Sequence, residues 1–63
     1  MALLTYSDAA TLLRLPVGTL HAMVSQRRIP HVRLGPRLVR FVEAELLAWI
    51  ESRRVRGAGE QAR

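Results

Sequence analysis

Residues 17–26 read VGTLHAMVSQ, and the fold turns on how this stretch is understood. Its apolar residues Val17, Leu20, Met23 and Val24 recur at i, i+3, i+6 and i+7, which is one face of an α-helix. The opposite face carries Gly18, Thr19, His21, Ala22 and Ser25, all short or hydrogen-bonding and none charged. A helix with such an outer face needs partners for its apolar stripe, and the flanking sequence supplies them.

Upstream, Leu4-Thr5-Tyr6-Ser7-Asp8-Ala9 has the form of a helix start. Thr5 is placed to cap and Asp8, three residues on, to complete a capping box, with Asp in place of the usual Glu or Gln. This predicts a first helix from Tyr6 to Leu13 or Arg14 that buries Ala9, Leu12 and Leu13. Leu15-Pro16 ends it, because proline disfavours α geometry in the residue before it while its own fixed φ suits a new helix start. Two helices joined this tightly form a helix-turn-helix, whose second member is the one that enters a DNA major groove.

Downstream, Ile29-Pro30 forces extended backbone. Val32 and Leu34 then alternate with His31 and Arg33, Gly35-Pro36-Arg37 is a turn signal, and Val39 and Phe41 alternate with Leu38 and Arg40. The expectation is a β-hairpin leaning on the helices through Val32, Leu34, Val39 and Phe41, with His31, Arg33, Arg37 and Arg40 outward. A third helix is expected from Glu43 to about Arg53, with Leu46, Leu47, Trp49 and Ile50 as its stripe. Acids open it and Arg53-Arg54 close it, as the helix dipole prefers. The fold class is therefore mostly α with a small hairpin: a winged helix-turn-helix of three helices and a two-stranded wing over residues 1–53. Residues 54–63, unpatterned and glycine-containing, are expected to be a flexible tail.

Composition agrees. Sixty-three residues allow one small domain, and a single Trp, Tyr and Phe make its core mostly aliphatic. The absence of cysteine removes disulfides and thiolate metal sites. With no signal peptide and no run of ~18 apolar residues, the chain reads as soluble, cytoplasmic and nucleoid-associated. The net charge is +5 and every basic residue is arginine. No carboxylate occurs between Ala9 and Val42, where Arg14, Arg27, Arg28, Arg33, Arg37 and Arg40 fall, whereas residues 43–63 balance four glutamates against four arginines. A basic middle and a neutral end imply one positive face, suited to a polyphosphate partner.

The runs TYSDAATLLRLPVGTLHAMV, RIPHVRLGPRLVRF and ELLAWI together resemble the excisionase-type DNA-binding domain, a winged helix-turn-helix of the MerR-like superfamily, over about residues 3–51. The resemblance implies a second helix in the major groove and a wing on backbone or minor groove. It points to Thr19, His21, Ala22 and Ser25 on the helix and to Arg33, Arg37 and Arg40 on the wing. Arg27 and Arg28, at the junction, are expected phosphate clamps. Three positions depart from the family pattern. Pro16 replaces the usual Ser or Thr cap. Arg27 replaces a left-handed glycine, so the helix is expected to end another way, with a longer last turn. Pro36 replaces a basic residue and stiffens the wing tip.

Nothing supports catalysis: there is no Ser/His/Asp or Cys/His constellation and no Gly-rich loop before a helix. Two histidines without carboxylates nearby make no metal site, and no cofactor is expected. The expected function is sequence-specific binding of double-stranded DNA as an excisionase, or recombination directionality factor, with an integrase as a further partner. A small MerR-like transcriptional regulator is the alternative, and a protein-interaction module with an acidic partner the second. The residues left after the third helix leave no room for a dimerisation coiled coil, so the protein is expected to be a monomer in free solution that binds DNA beside neighbouring copies of itself.

Overall fold

The computed structural model describes residues 2–55. The elements run in the order β1 (Leu3–Leu4), α1 (Tyr6–Leu13), α2 (Val17–Ser25), β2 (Val32–Gly35), β3 (Leu38–Val42) and α3 (Glu43–Ser52). Three helices and a small antiparallel sheet make a winged helix-turn-helix, as the residue pattern predicts. The expected tail beyond Val55 lies outside the described residues.

Helix α1 starts where its capping box dictates. The Thr5 hydroxyl accepts from the Asp8 amide at 3.0 Å, and the Asp8 carboxylate accepts from the Thr5 amide at 3.1 Å. Two amides that the first turn would leave without partners are thereby satisfied. The buried face of α1 is Tyr6, Ala9, Ala10 and Leu13, a clean i, i+3, i+4, i+7 stripe. Leu12, expected inside, is 40% exposed. Helix α2 has no side-chain cap, since Pro16 stands at that position. The Pro16 carbonyl instead accepts from the Thr19 and Leu20 amides. Leu20 and Val24 of its stripe are buried and Met23 packs beside them, while Val17 is exposed.

Both helices end in a left-handed residue that is not glycine: Arg14 at φ 57° and Arg27 at φ 56°. Around Arg27 the amide of Arg28 donates to the Met23 carbonyl and that of Arg27 to the Val24 carbonyl, each at 2.9 Å. Around Arg14 the amides of Leu15 and Arg14 donate to Ala10 and Thr11 in the same pattern. This is the Schellman termination normally built on glycine. The expected longer last turn of α2 is therefore corrected: Arg27 adopts the glycine conformation itself, because the junction into buried Ile29 requires the reversal.

The sheet order is β1-β3-β2, with both pairings antiparallel. The third strand, β1, lies beyond what the sequence pattern predicts; Leu3 faces Val42 and Leu4 faces Phe41. The hairpin turns over Pro36 and Arg37 between Gly35 and Leu38, as predicted, but with a register shift between Arg33 and Gly35. That register corrects the expected division of faces. Val32 pairs with Arg40, and Arg33 pairs with buried Val39. Directly opposed residues share a sheet face, so Arg33 lies on the side of Val39 and Phe41, and Arg40 lies on the other with Val32. Leu34, expected inside, is 54% exposed, and Leu3 and Leu38 are exposed as well.

Strand β3 leads into α3 without a loop. Glu43 and Glu45 occupy the uncapped first turn, where the dipole favours acids. Leu46 is fully buried, Trp49 packs on the core and Leu47 is exposed, which narrows the expected stripe. The core of the described residues is Ala9, Leu20, Val24, Ile29, Val39, Phe41 and Leu46.

Two outcomes follow for stability. Phe41→Ala should cost about 3–5 kcal/mol, comparable with all that a core of this size supplies, so denaturant titration should find the variant largely unfolded. Arg14→Gly and Arg27→Gly should each raise stability by up to about 1 kcal/mol. The left-handed cost they remove exceeds the flexibility they add to the unfolded chain, and thermal melts will read the difference.

Candidate nucleic-acid interface

Helix α2 and the hairpin enclose a groove of roughly 850 Å³. Its apolar floor is Val24, Ile29 and Val39, the same residues that close the core. Around that floor stand Tyr6 from α1, His21 and Ser25 from α2, Arg27 from the junction, and Pro30, His31, Arg33 and Arg37 from the wing. The sheet register is what brings the wing arginines here: Arg33 reaches the groove because it pairs with Val39. Its guanidinium donates to the Pro36 carbonyl at 3.4 Å, which braces the tip.

The groove is cationic. Among the described residues the one ion pair is Arg54–Glu51, at 2.9 Å on the far end of α3. Arg27, Arg33 and Arg37 have no carboxylate partner among those residues, so their charge is available to a polyanion. His31 Nδ1 lies 2.9 Å from the Ile29 carbonyl. A carbonyl only accepts, so Nδ1 carries the hydrogen and a neutral His31 keeps Nε2 as an acceptor.

The residues singled out from sequence separate into groups. His21, Ser25, Arg27, Arg33 and Arg37 line the groove together. Thr19 and Ala22 are exposed on α2 outside it, and nothing lies within 4 Å of where a Gly18 side chain would start, so this stretch of helix is bare. Arg28 is exposed and donates to the Gln26 side chain at 3.0 Å. Arg40 is half-buried on the opposite sheet face and donates to its neighbour's carbonyl, at Val39. Sequence reasoning missed Tyr6. Its ring stacks on His21 with centroids 3.8 Å apart and planes 19° apart, and meets Phe41 edge-on at 5.5 Å. The signal was present in the α1 stripe, since Tyr6 stands at i of a pattern completed by Ala9, Ala10 and Leu13. Trp49, with the Arg53 guanidinium 4.9 Å over its ring, is half-buried against the core, as its spacing predicts.

A family model described as a helix-turn-helix domain matches residues 3–54. The chain belongs to that helix-turn-helix family. No curated protein and no solved structure matches it. Membership supports DNA as a partner, and such domains are typically not enzymes. In a helix-turn-helix domain the second helix lies in the major groove, which here presents the bare, uncharged outer face of α2. No helix among the described residues is long and apolar enough to cross a membrane.

The division of the wing arginines gives a direct test. Each phosphate neutralised contributes about −0.9 to the slope of log affinity against log salt. Arg33→Ala and Arg37→Ala should each flatten that slope by about this amount and weaken all duplexes alike. Arg40→Ala, on the opposite face, should leave it unchanged in the same fluorescence-anisotropy titrations.

Proposed function

We propose that this protein binds double-stranded DNA site-specifically as an excisionase-type factor, filling repeated sites cooperatively and bending the duplex. The observation that carries DNA binding is the groove between α2 and the wing, which gathers Arg27, Arg33 and Arg37 beside an uncharged helix face. Those three, each on one phosphate, account for a salt slope of about −2.7. Thr19, with Arg28 at the junction, adds backbone contacts, and His21, Ala22 and Ser25 face the bases.

The helix face also supports the finer role. Gly18 and Ala22 offer close van der Waals contact, for instance to a thymine methyl, and few hydrogen bonds. One copy therefore discriminates modestly, and specificity is completed by DNA shape and by adjacent copies on repeated sites. Contacts between such copies are heterologous, head to tail, and do not close into a ring. They would bend DNA for a partner integrase. The resemblance of residues 3–51 to excisionase-type domains supports the same role.

Titration of a duplex bearing several repeats, with sedimentation of the free protein alongside, tests this. A monomer in solution that fills adjacent repeats cooperatively is the expected result. A stable dimer without DNA, or independent filling of each repeat, would point instead to a small transcriptional regulator. Binding that does not weaken with salt would favour an acidic protein partner over DNA.

A further inference from the structure

We propose that Tyr6 is a positioning residue for sequence recognition, holding His21 in the orientation from which its imidazole N–H donates to a guanine in the major groove. The proposal rests on the DNA-binding function above and assigns a base-reading role within it.

Tyr6 is fixed from three sides. It is the first residue of α1, whose start is locked by the Thr5–Asp8 capping box. Its ring meets the fully buried Phe41 edge-on at 5.5 Å. Its outer face carries the His21 ring at 3.8 Å and 19°. The core thus reaches the surface through a relay of rings, Phe41 to Tyr6 to His21. His21 is otherwise an exposed helix residue, free to sample several rotamers. Stacking selects one plane, and a fixed plane confines the ring nitrogens to two arrangements related by a flip of the ring.

Those nitrogens are available, because His21 makes no hydrogen bond among the described residues. On the outer face of α2 its neighbours are Gly18, Thr19, Ala22 and Ser25, so the imidazole is the one ring N–H donor there. Arginines already supply the groove's charge for phosphates, which attract a cation from any direction. An oriented donor is of use where the acceptor is directional. Guanine presents two adjacent acceptors in the major groove, N7 and O6, between which one N–H is shared, whereas adenine sets a donor beside N7 that repels it. Guanine is the match.

Duplexes selected by the wild-type protein from a randomised library provide the probe, and base preference is then measured position by position. His21→Ala should lose about five- to tenfold preference at one G·C pair, the size of a single hydrogen bond. Tyr6→Leu should lose the same preference at the same pair, leaving other positions and the salt slope unaltered. The double variant should be no worse than His21→Ala, and Tyr6→Phe, which keeps the ring, should behave as wild type. Replacing that guanine with 7-deazaguanine should reproduce the loss. In the free protein, the His21 ring-proton resonances should move downfield in Tyr6→Leu and stay in place in Tyr6→Phe, a reading independent of DNA.

Uniform weakening of all duplexes by Tyr6→Leu would make Tyr6 merely structural and overturn the proposal. So would a Tyr6→Phe variant that weakens all duplexes alike at an unchanged salt slope, since the hydroxyl would then be a neutral phosphate contact. Should Tyr6→Leu melt below the assay temperature, Tyr6→Met, which keeps apolar bulk without the ring, takes its place in the same base-preference and ring-proton measurements. A wild-type protein that binds no duplex overturns both proposals; site-specific binding with no guanine dependence on His21 overturns this one alone.

Discussion

Phe41 is the point on which the domain is hung. Its side chain is fully buried, and its strand is the central one, paired with β1 on one edge and with β2 on the other. Tyr6 of α1 leans on its ring, and α3 begins two residues after it. A chain of this size has too little interior for a second core; α1, α3 and both edge strands pack on this strand, and α2 is held chiefly through α1. That packing also sets the interface. Val39, on the same face of β3, is at once a core residue and part of the groove floor. The wing is thereby fixed relative to α2 by the packing that stabilises the fold, and no separate device is needed to align them.

The helices were legible because helical periodicity is a strong signal and their termini carry punctuation. Thr5, Asp8 and Pro16 mark boundaries through capping and through proline's restricted backbone, and the observed ends agree with them, while Pro30 lies well past the end of α2, which Arg27 sets. The hairpin was legible in existence but not in phase. Alternation in HVRLGPRLVRF gives each strand two faces but does not say how the faces of β2 and β3 match across the turn, which depends on the pairing register. On β3 the large Val39 and Phe41 decide correctly. On β2 the irregularity between Arg33 and Gly35 shifts the pairing, and a one-residue shift moves every side chain to the other face. The strand β1 is too short for any periodicity, and its pairing with β3 is a long-range contact that local pattern does not encode.

The consequences of that phase reach the candidate site. With Arg33 outward the wing would present one undivided row of arginines. With Arg33 on the Val39 face, the wing divides its charge, sending Arg33 and Arg37 into the groove and Arg40 to the opposite side. Tyr6 escaped notice for a related reason. Read as a helix-start residue it has no function, and its position next to His21 exists only once α1 and α2 are folded against each other across the tight Leu15-Pro16 turn.

Arg27 shows where stability and binding part company. A left-handed residue is required there, and glycine meets that requirement without steric cost. Arginine costs about 1 kcal/mol or more in that conformation, yet it puts a guanidinium at the mouth of the groove, between the end of α2 and the wing. A glycine would leave the same backbone without the charge. The local strain is then the cost of locating a cation at a place the chain must pass in any case, where the helix terminus fixes its origin. Arg14 adopts the same conformation with the same hydrogen bonds, but it does not line the groove, and nothing in the structure explains an arginine there. The contrast between the two positions separates the conformation from the charge. Both terminations demand the left-handed backbone, and only the second sets its side chain on the groove.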